Sequence, residues 1–214
     1  MNILILGATG DVGSAVTQEA TQRGHQVTAC ARNVGRLQNI GSGVQVETLD
    51  VSEDRQKLER LVQEHDAVVS ALRPVAGQED KLVSLTQAVL TAAGAGDKAV
   101  YITGGAGPLK VGDGTDHTVL TAPGFLPESV RPVAEASAAQ DALLNEFPDV
   151  NWICLRPAAM LTNEARTGRY ALGRDVLVKQ ADGQSQIPYA DFAVAMLDLI
   201  ELKPAPRQRL TVGW

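Results

Sequence analysis

Asn2-Ile3-Leu4-Ile5-Leu6-Gly7-Ala8-Thr9-Gly10-Asp11-Val12-Gly13-Ser14-Ala15-Val16 is the stretch whose reading decides the fold. Its apolar opening is what a strand buried on both faces looks like. Three glycines spaced three apart follow, and a helix-compatible stretch follows them. Such a strand–turn–helix unit aims backbone N–H groups and the positive end of a helix dipole at one point, where a pyrophosphate sits. Gly7 permits the sharp turn, Gly10 lets a diphosphate approach the backbone, and Gly13 lets helix and strand pack closely. Gly7, Thr9, Gly10, Asp11, Val12 and Gly13 are thus the expected dinucleotide-binding residues. The spacing is GxxGxxG rather than GxGxxG, and a plain structural turn is the competing reading. The strand before and the helix after favour the nucleotide.

Outward from this unit, strands and helices alternate. Short apolar runs at 26–31, 44–48, 66–71, 98–103 and 151–156 read as further buried strands. Helical stretches are expected at 11–23, 53–64, 79–93 and 129–147, with a turn of helix inside 33–41. Alternation of this kind implies an α/β fold, a doubly wound parallel sheet with helices on both faces. The chain is expected to be a single domain over 1–214, with 157–214 contributing a small substrate lobe. Two segments break the rhythm. Residues 104–127 hold six glycines and three prolines without a helical pattern. A loop that long reads as a lid or substrate-binding segment, against a surface insertion as the plainer alternative. Residues 157–188 read as small extra strands or a hairpin. A helix near 189–201 and a strand at 209–212 close the chain.

Composition narrows the partners. The chain has 214 residues, 44% hydrophobic and 21% charged, with a formal net charge of −6. That is apolar enough for a sizeable core and too acidic for nucleic acid or an anionic membrane as main partner. No apolar run approaches the roughly 18 residues of a membrane span, and no signal sequence is legible. Cys30 and Cys154 both fall in expected buried strands and read as core residues of a cytoplasmic protein. The three histidines show no metal-ligand spacing, so no metal is expected. No Gly-x-Ser-x-Gly appears.

The ends of the strands carry the cofactor reading. In a dinucleotide fold the residue ending strand two separates NAD from NADP. A carboxylate there accepts from the ribose 2′-OH, whereas arginine neutralises a 2′-phosphate. Here strand two runs Ala29-Cys30-Ala31-Arg32-Asn33, with Arg36 close by and no carboxylate. The expected cofactor is NADP(H), with NAD(H) less favoured; a solvated surface arginine is the competing reading. Asp50 and Val51, ending strand three, stand where an adenine would lie, although Asp50 equally starts a turn and Ser52 equally caps the next helix. Ser70, Ala71 and Leu72 end strand four with little bulk near the ribose and diphosphate. Thr103 and Gly104 end strand five, where the nicotinamide half reaches. Ligands of open α/β sheets bind at the carboxyl ends of strands, so these positions converge on one crevice.

These motifs together resemble an atypical short-chain dehydrogenase/reductase of the NAD(P)H-binding, epimerase-like type, a Rossmann fold. That group includes bacterial proteins named as NADH-flavin reductases and, more distantly, the biliverdin-IXβ/flavin reductases. Besides the glycine turn, Arg32-Asn33 and Leu49-Asp50-Val51, the resemblance rests on Tyr101-Ile102-Thr103-Gly104-Gly105-Ala106-Gly107 and on Leu155-Arg156-Pro157-Ala158. Arg166-Thr167-Gly168-Arg169-Tyr170 and Ile187-Pro188-Tyr189-Ala190-Asp191-Phe192-Ala193 extend it over nearly the full length. It implies that Pro157 and Ala158 touch the nicotinamide.

The family's Tyr-x-x-x-Lys proton relay is missing. Four residues beyond Tyr101, Tyr170 and Tyr189 stand Gly105, Arg174 and Ala193. Flavin reduction asks less of the protein, because positioning two ring systems supplies most of the effect. The expected function is an NADPH-dependent reductase passing hydride to a flavin, as substrate rather than prosthetic group, or to a similar flat small-molecule acceptor. Thr103 and His117 are the candidate catalytic residues, and Tyr170 is a candidate ring platform. The rivals are a nucleotide-sugar epimerase or dehydratase and a non-catalytic NADP(H)-binding redox sensor. Oligomeric state is not legible.

Overall fold

The structure is a computed structural model that describes residues 1–37, 43–112 and 114–214, except the side chains of Val34 and Arg36. Its centre is β1 (Asn2–Leu6), whose Ile3, Leu4, Ile5 and Leu6 are fully buried because both faces are covered. β2 (Gln26–Ala31) and β3 (Gln45–Thr48) lie to one side. β4 (Ala67–Ser70), β5 (Ala99–Thr103) and β6 (Trp152–Pro157) lie to the other. The full order is β3-β2-β1-β4-β5-β6-β10-β8, where β10 is Gln208–Gly213 and β8 is Ala171–Gly173. All these pairs are parallel except β8 against β10, so the expected parallel sheet carries one antiparallel edge.

Alternation along the strands sends side chains to opposite faces. Ile3, Ile5, Val27, Val69, Tyr101 and Leu155 pack under α1 (Asp11–Gln22) and α5 (Tyr189–Leu202). Leu4, Leu6, Val68, Ile102 and Cys154 pack under α2 (Arg55–Glu64), α3 (Lys81–Gly96) and α4 (Arg131–Leu143). The expected turn of helix in 33–41 is a short 3-10 turn at Val34–Leu37.

Two local expectations change. One is β3, which is an edge strand exposed at Gln45, Val46 and Thr48 rather than buried. Ser52 does not cap α2: the helix opens after Asp54, while Ser52 gives its backbone N–H and its hydroxyl to Asp50 Oδ1 at 2.9 and 2.5 Å. A local side-chain turn has outcompeted the cap. Residues 157–188 hold small extra strands, one of the two expected readings, rather than the hairpin. β7 (Met160–Thr162) pairs in parallel with β9 (Gln186–Pro188) as a separate two-stranded sheet, while β8 joins the edge of the main one. Val176 is joined to Lys110 by an isolated parallel bridge.

The stretch Arg166–Tyr170 is bolted to α1 and α5. Arg166 gives Nε and a terminal N–H to the buried Glu19 carboxylate at 2.8 and 3.0 Å. The backbone N–H groups of Thr167 and Gly168, the Thr167 hydroxyl and the Trp214 indole all donate to Asp191, which is fully buried in the first turn of α5. Tyr170 donates its hydroxyl to Asp198 at 2.5 Å, so its polar end is committed to α5. No described helix is long and apolar enough to cross a membrane.

Candidate functional site

The chain builds outward from β1 to β3 and then returns to β4 on the other side of β1. The crevice opens at that switch point, at the carboxyl ends of β1 and β4, as a cleft of about 450 Å³. Leu6, Gly7, Thr9 and Gly10 form its floor.

The three glycines of the turn do different work. Gly7 has φ +84°, and a Cβ there would lie 2.5 Å from the Ala71 carbonyl oxygen. A Cβ on Gly13 would lie 2.2 Å from the Gly7 oxygen. Both are therefore demanded by the fold. Gly10 is not: its Cβ would meet only the Gly7 oxygen, at 3.5 Å. Gly7 and Ala8 spend their N–H groups on the Cys30 carbonyl at 3.1 Å each, which fixes the turn to β2. Gly10 supplies no side-chain cap, so the first N–H groups of α1 are left for a ligand. A glycine that the protein itself does not require, in front of uncapped amides, fits a bound diphosphate.

One wall carries Arg32 from the end of β2 and Asp50 and Val51 from the end of β3. Hydrogen bonds from Ser52 hold the Asp50 carboxyl below the usual carboxylate range, with added positive potential from Arg32 and Lys81. Cys30 also reaches the cleft, but burial pushes its thiol up to about 12, which makes it an inert wall. The opposite wall carries Ala71 and Leu72, and then Arg73, Pro74, Val75, Lys81, Ser84 and Leu85. Sequence reading missed this second group. Its only signal was the position of the loop between β4 and α3, directly beside the switch point.

The structure therefore gathers Gly7, Thr9, Gly10, Arg32, Asp50, Val51, Ala71 and Leu72 around one cleft. Asp11, Val12 and Gly13 form the first turn of α1 beside it, and Ser70 is buried at the end of β4. Asn33 is exposed and spends its Oδ1 on the Gly35 N–H at 2.9 Å. The side chain of Arg36 lies outside the described residues. Thr103, Gly104, Pro157 and Ala158 stand further along the sheet, at the ends of β5 and β6, and do not line this cleft.

Thr103 pairs in register with Leu155, and its hydroxyl is buried with no hydrogen-bond partner in the structure. Gly104 has a packing reason of its own, since a Cβ there would lie 2.7 Å from Cys154 Sγ. His117 is exposed on the long loop and outside the cleft lining. That loop is anchored rather than splayed over the surface. Lys110 bridges both Thr118 and Val176, and Leu109, Val111, Val119 and Leu177 form a small buried cluster beneath it. Its glycines explain the bare face of α4: Cβ atoms on Gly105 and Gly107 would lie 2.5 Å from Ser137 Cβ and 2.4 Å from the Ala134 oxygen. Backbone is packed directly against helix there.

Sequence reading also missed Tyr189, at the start of α5. Burial raises its hydroxyl pKa, the Asp11 carboxylate raises it further, and Arg73 opposes the shift. Tyr189 is thus close enough to Asp11 and Arg73 to feel both charges.

Comparison with known proteins agrees with this geometry. The model of the NAD(P)H-binding family matches residues 7–203. The uncharacterized protein YwnB of Bacillus subtilis is 33% identical over 214 residues, covering 99% of this chain and 98% of that one. Among solved structures, SP1627 of Streptococcus pneumoniae, a “putative NADH-flavin reductase”, superposes with a TM-score of 0.89 at 26% identity, covering 100% and 99% of the two chains. A “putative epimerase” from Bacteroides thetaiotaomicron superposes with a TM-score of 0.88 at 30% identity, covering 100% and 96%.

Proposed function

The chain belongs to the NAD(P)H-binding family, and from that membership we propose that it is an NADPH-dependent reductase delivering hydride to a flavin or similar flat acceptor. The observation that carries the NADP(H) half is electrostatic. In a protein of net charge −6, Arg32, Arg73 and Lys81 line one cleft against the carboxylates of Asp50 and Glu53, and among the described residues none of the three cations makes an ion pair. A concave site with a surplus of cations on an acidic protein is the counterpart of a polyanion. NADP(H), with a diphosphate and a 2′-phosphate, is that polyanion.

The residues divide as follows. The uncapped amides at the start of α1 hold the diphosphate over Gly10, Arg32 neutralises the 2′-phosphate, and Asp50 and Val51 receive the adenine. Thr103, Pro157 and Ala158 stand where the nicotinamide end reaches, with residues 157–214 completing the acceptor side. The cofactor, when bound, supplies the hydride. No tyrosine–lysine relay exists in the sequence, so the protein's part is to hold two ring systems in contact and to exclude water. The Thr103 hydroxyl orients a polar group of the nicotinamide or acceptor. A dehydratase or epimerase acting by a tyrosine relay is disfavoured by the same absence.

The test pairs binding with turnover. NADP(H) is expected to stabilise the protein more than NAD(H) at equal concentration, and Arg32→Asp is expected to reverse that order by removing a cation and adding a repelling carboxylate. An unchanged order in the variant removes Arg32 from the site. Oxidation of NADPH with FMN, FAD or a quinone then identifies the reductase, whereas binding without any turnover makes the protein a sensor.

A further inference from the structure

The cleft carries two cations besides Arg32, set against the carboxylates of Asp50 and Glu53, and they are not placed at random. Arg32 ends β2 and Lys81 opens α3, so the two come from opposite walls. Both impose positive potential on the same carboxylate, Asp50, at the end of β3. Arg73 instead follows Leu72, whose backbone nitrogen would lie 3.2 Å from a Cβ on Gly7, so it leaves β4 beside the glycine turn. The three cations therefore fall into two groups, one at the strand-two and strand-three end of the cleft and one at the glycine turn. No described residue offers Lys81 or Arg73 a salt bridge or a side-chain hydrogen bond. A structural role in holding the β4–α3 loop would need such partners.

We propose that Lys81 and Arg73 divide the phosphates of the dinucleotide between them, Lys81 sharing the 2′-phosphate with Arg32 and Arg73 gripping the diphosphate. This rests on the NADP(H) reading and adds two residues with opposite consequences. The 2′-phosphate distinguishes NADP from NAD, so Lys81 acts on preference. The diphosphate is common to both, so Arg73 acts on affinity alone. Lys81 and Arg73 are both exposed and lie outside the core, so replacing either leaves the packing beneath untouched.

Calorimetric titration of the purified protein with NADP+ and with NAD+ reads both quantities without any turnover. Lys81→Met is expected to weaken NADP+ by about tenfold or more, as losing one charge-assisted phosphate contact does. NAD+ affinity should stay within about twofold of wild type on the same argument, and Lys81→Arg should restore most of the NADP+ affinity. Arg73→Ala is expected to weaken NADP+ and NAD+ by the same factor, leaving their ratio intact. A wild-type protein without preference for NADP+ overturns the underlying reading. A wild-type preference that survives Lys81→Met unchanged overturns the Lys81 assignment, and a ratio that moves in Arg73→Ala overturns the division.

Discussion

At the scale of single residues, the glycine turn separates what the fold requires from what a ligand requires. Gly13 has no room for a Cβ, since the Gly7 oxygen would lie 2.2 Å away, and Gly13→Ala should cost stability by about 1–3 kcal/mol through overpacking. Gly10 has room, so Gly10→Val should leave the far-UV spectrum and the ligand-free melting temperature near wild type while abolishing dinucleotide binding. Retained binding in that variant would take the diphosphate off the turn. The chemistry gives a second test. Thr103 has an unpaired buried hydroxyl and His117 is exposed away from the cleft, with no tuned proton donor beside either. Thr103→Ala and His117→Ala should each lower kcat with FMN by no more than about tenfold, roughly 1.4 kcal/mol of barrier. A thousandfold fall in either would reveal a positioned general acid, whose contribution is typically 10²–10⁴-fold. Legibility follows the same division. Gly7, Gly10 and Arg32 were readable because they follow strands with a clear apolar pattern, and Asp50 was readable from the alternation of elements although β3 before it is exposed. Arg73 and Lys81 were not, because a loop and a helix start come to line the cleft only when β4 lies beside β1.

At the scale of elements, β1, β2, β4, β5, β6 and the five helices were readable because runs buried on one or both faces leave a periodic record, whereas the edge strand β3 was located but is exposed. β7, β8 and β9 were readable only as small extra strands without bounds or pairing, because three residues are too few to show a period, and their pairing is decided by the elements they dock on. Tyr170, a candidate ring platform or hairpin surface in the sequence, belongs to the Arg166–Tyr170 stretch that clasps α1 and α5. The centre of that clasp is Glu19, which is 5% exposed and whose carboxyl is held below the usual range chiefly by the hydrogen bond from Arg166. A carboxylate with a lowered folded pKa stabilises above its unfolded pKa and loses that contribution as pH falls through the folded value. Glu19→Gln should therefore lower stability at pH 7 by about 2 kcal/mol, since it strips a partly buried pair of its charge. The difference from wild type should shrink steadily below pH 4.5, the ordinary value for this carboxyl. A gap independent of pH would show that packing rather than charge makes the clasp. Denaturant unfolding at pH 7, 5 and 3 measures it.

At the scale of the whole molecule, one sheet joins both halves of the chain, and two apolar layers run across it without a break from β1 and β2 to β6. Such an arrangement unfolds as a unit, so a ligand that touches the ends of β1 to β4 stabilises everything, including the distant β8 edge. Linkage sets the size of the effect. Ligand at about 100 times its Kd adds roughly 2.7 kcal/mol, provided the unfolded chain does not bind it. For a chain of this length, that is a rise in melting temperature of roughly 5–11 °C. NADP+ should produce such a rise in a single transition, and Gly10→Val should erase it while melting near wild type without ligand. A second transition that ignores the ligand would show that residues beyond β6 unfold separately. The C-terminal strands would then be an independent unit rather than the far edge of the cofactor-binding sheet. A single ligand-sensitive transition ties the acceptor side to the cofactor side mechanically. Binding at the switch point would then tighten the ends of β5 and β6, where Thr103 and Pro157 stand, before any acceptor arrives.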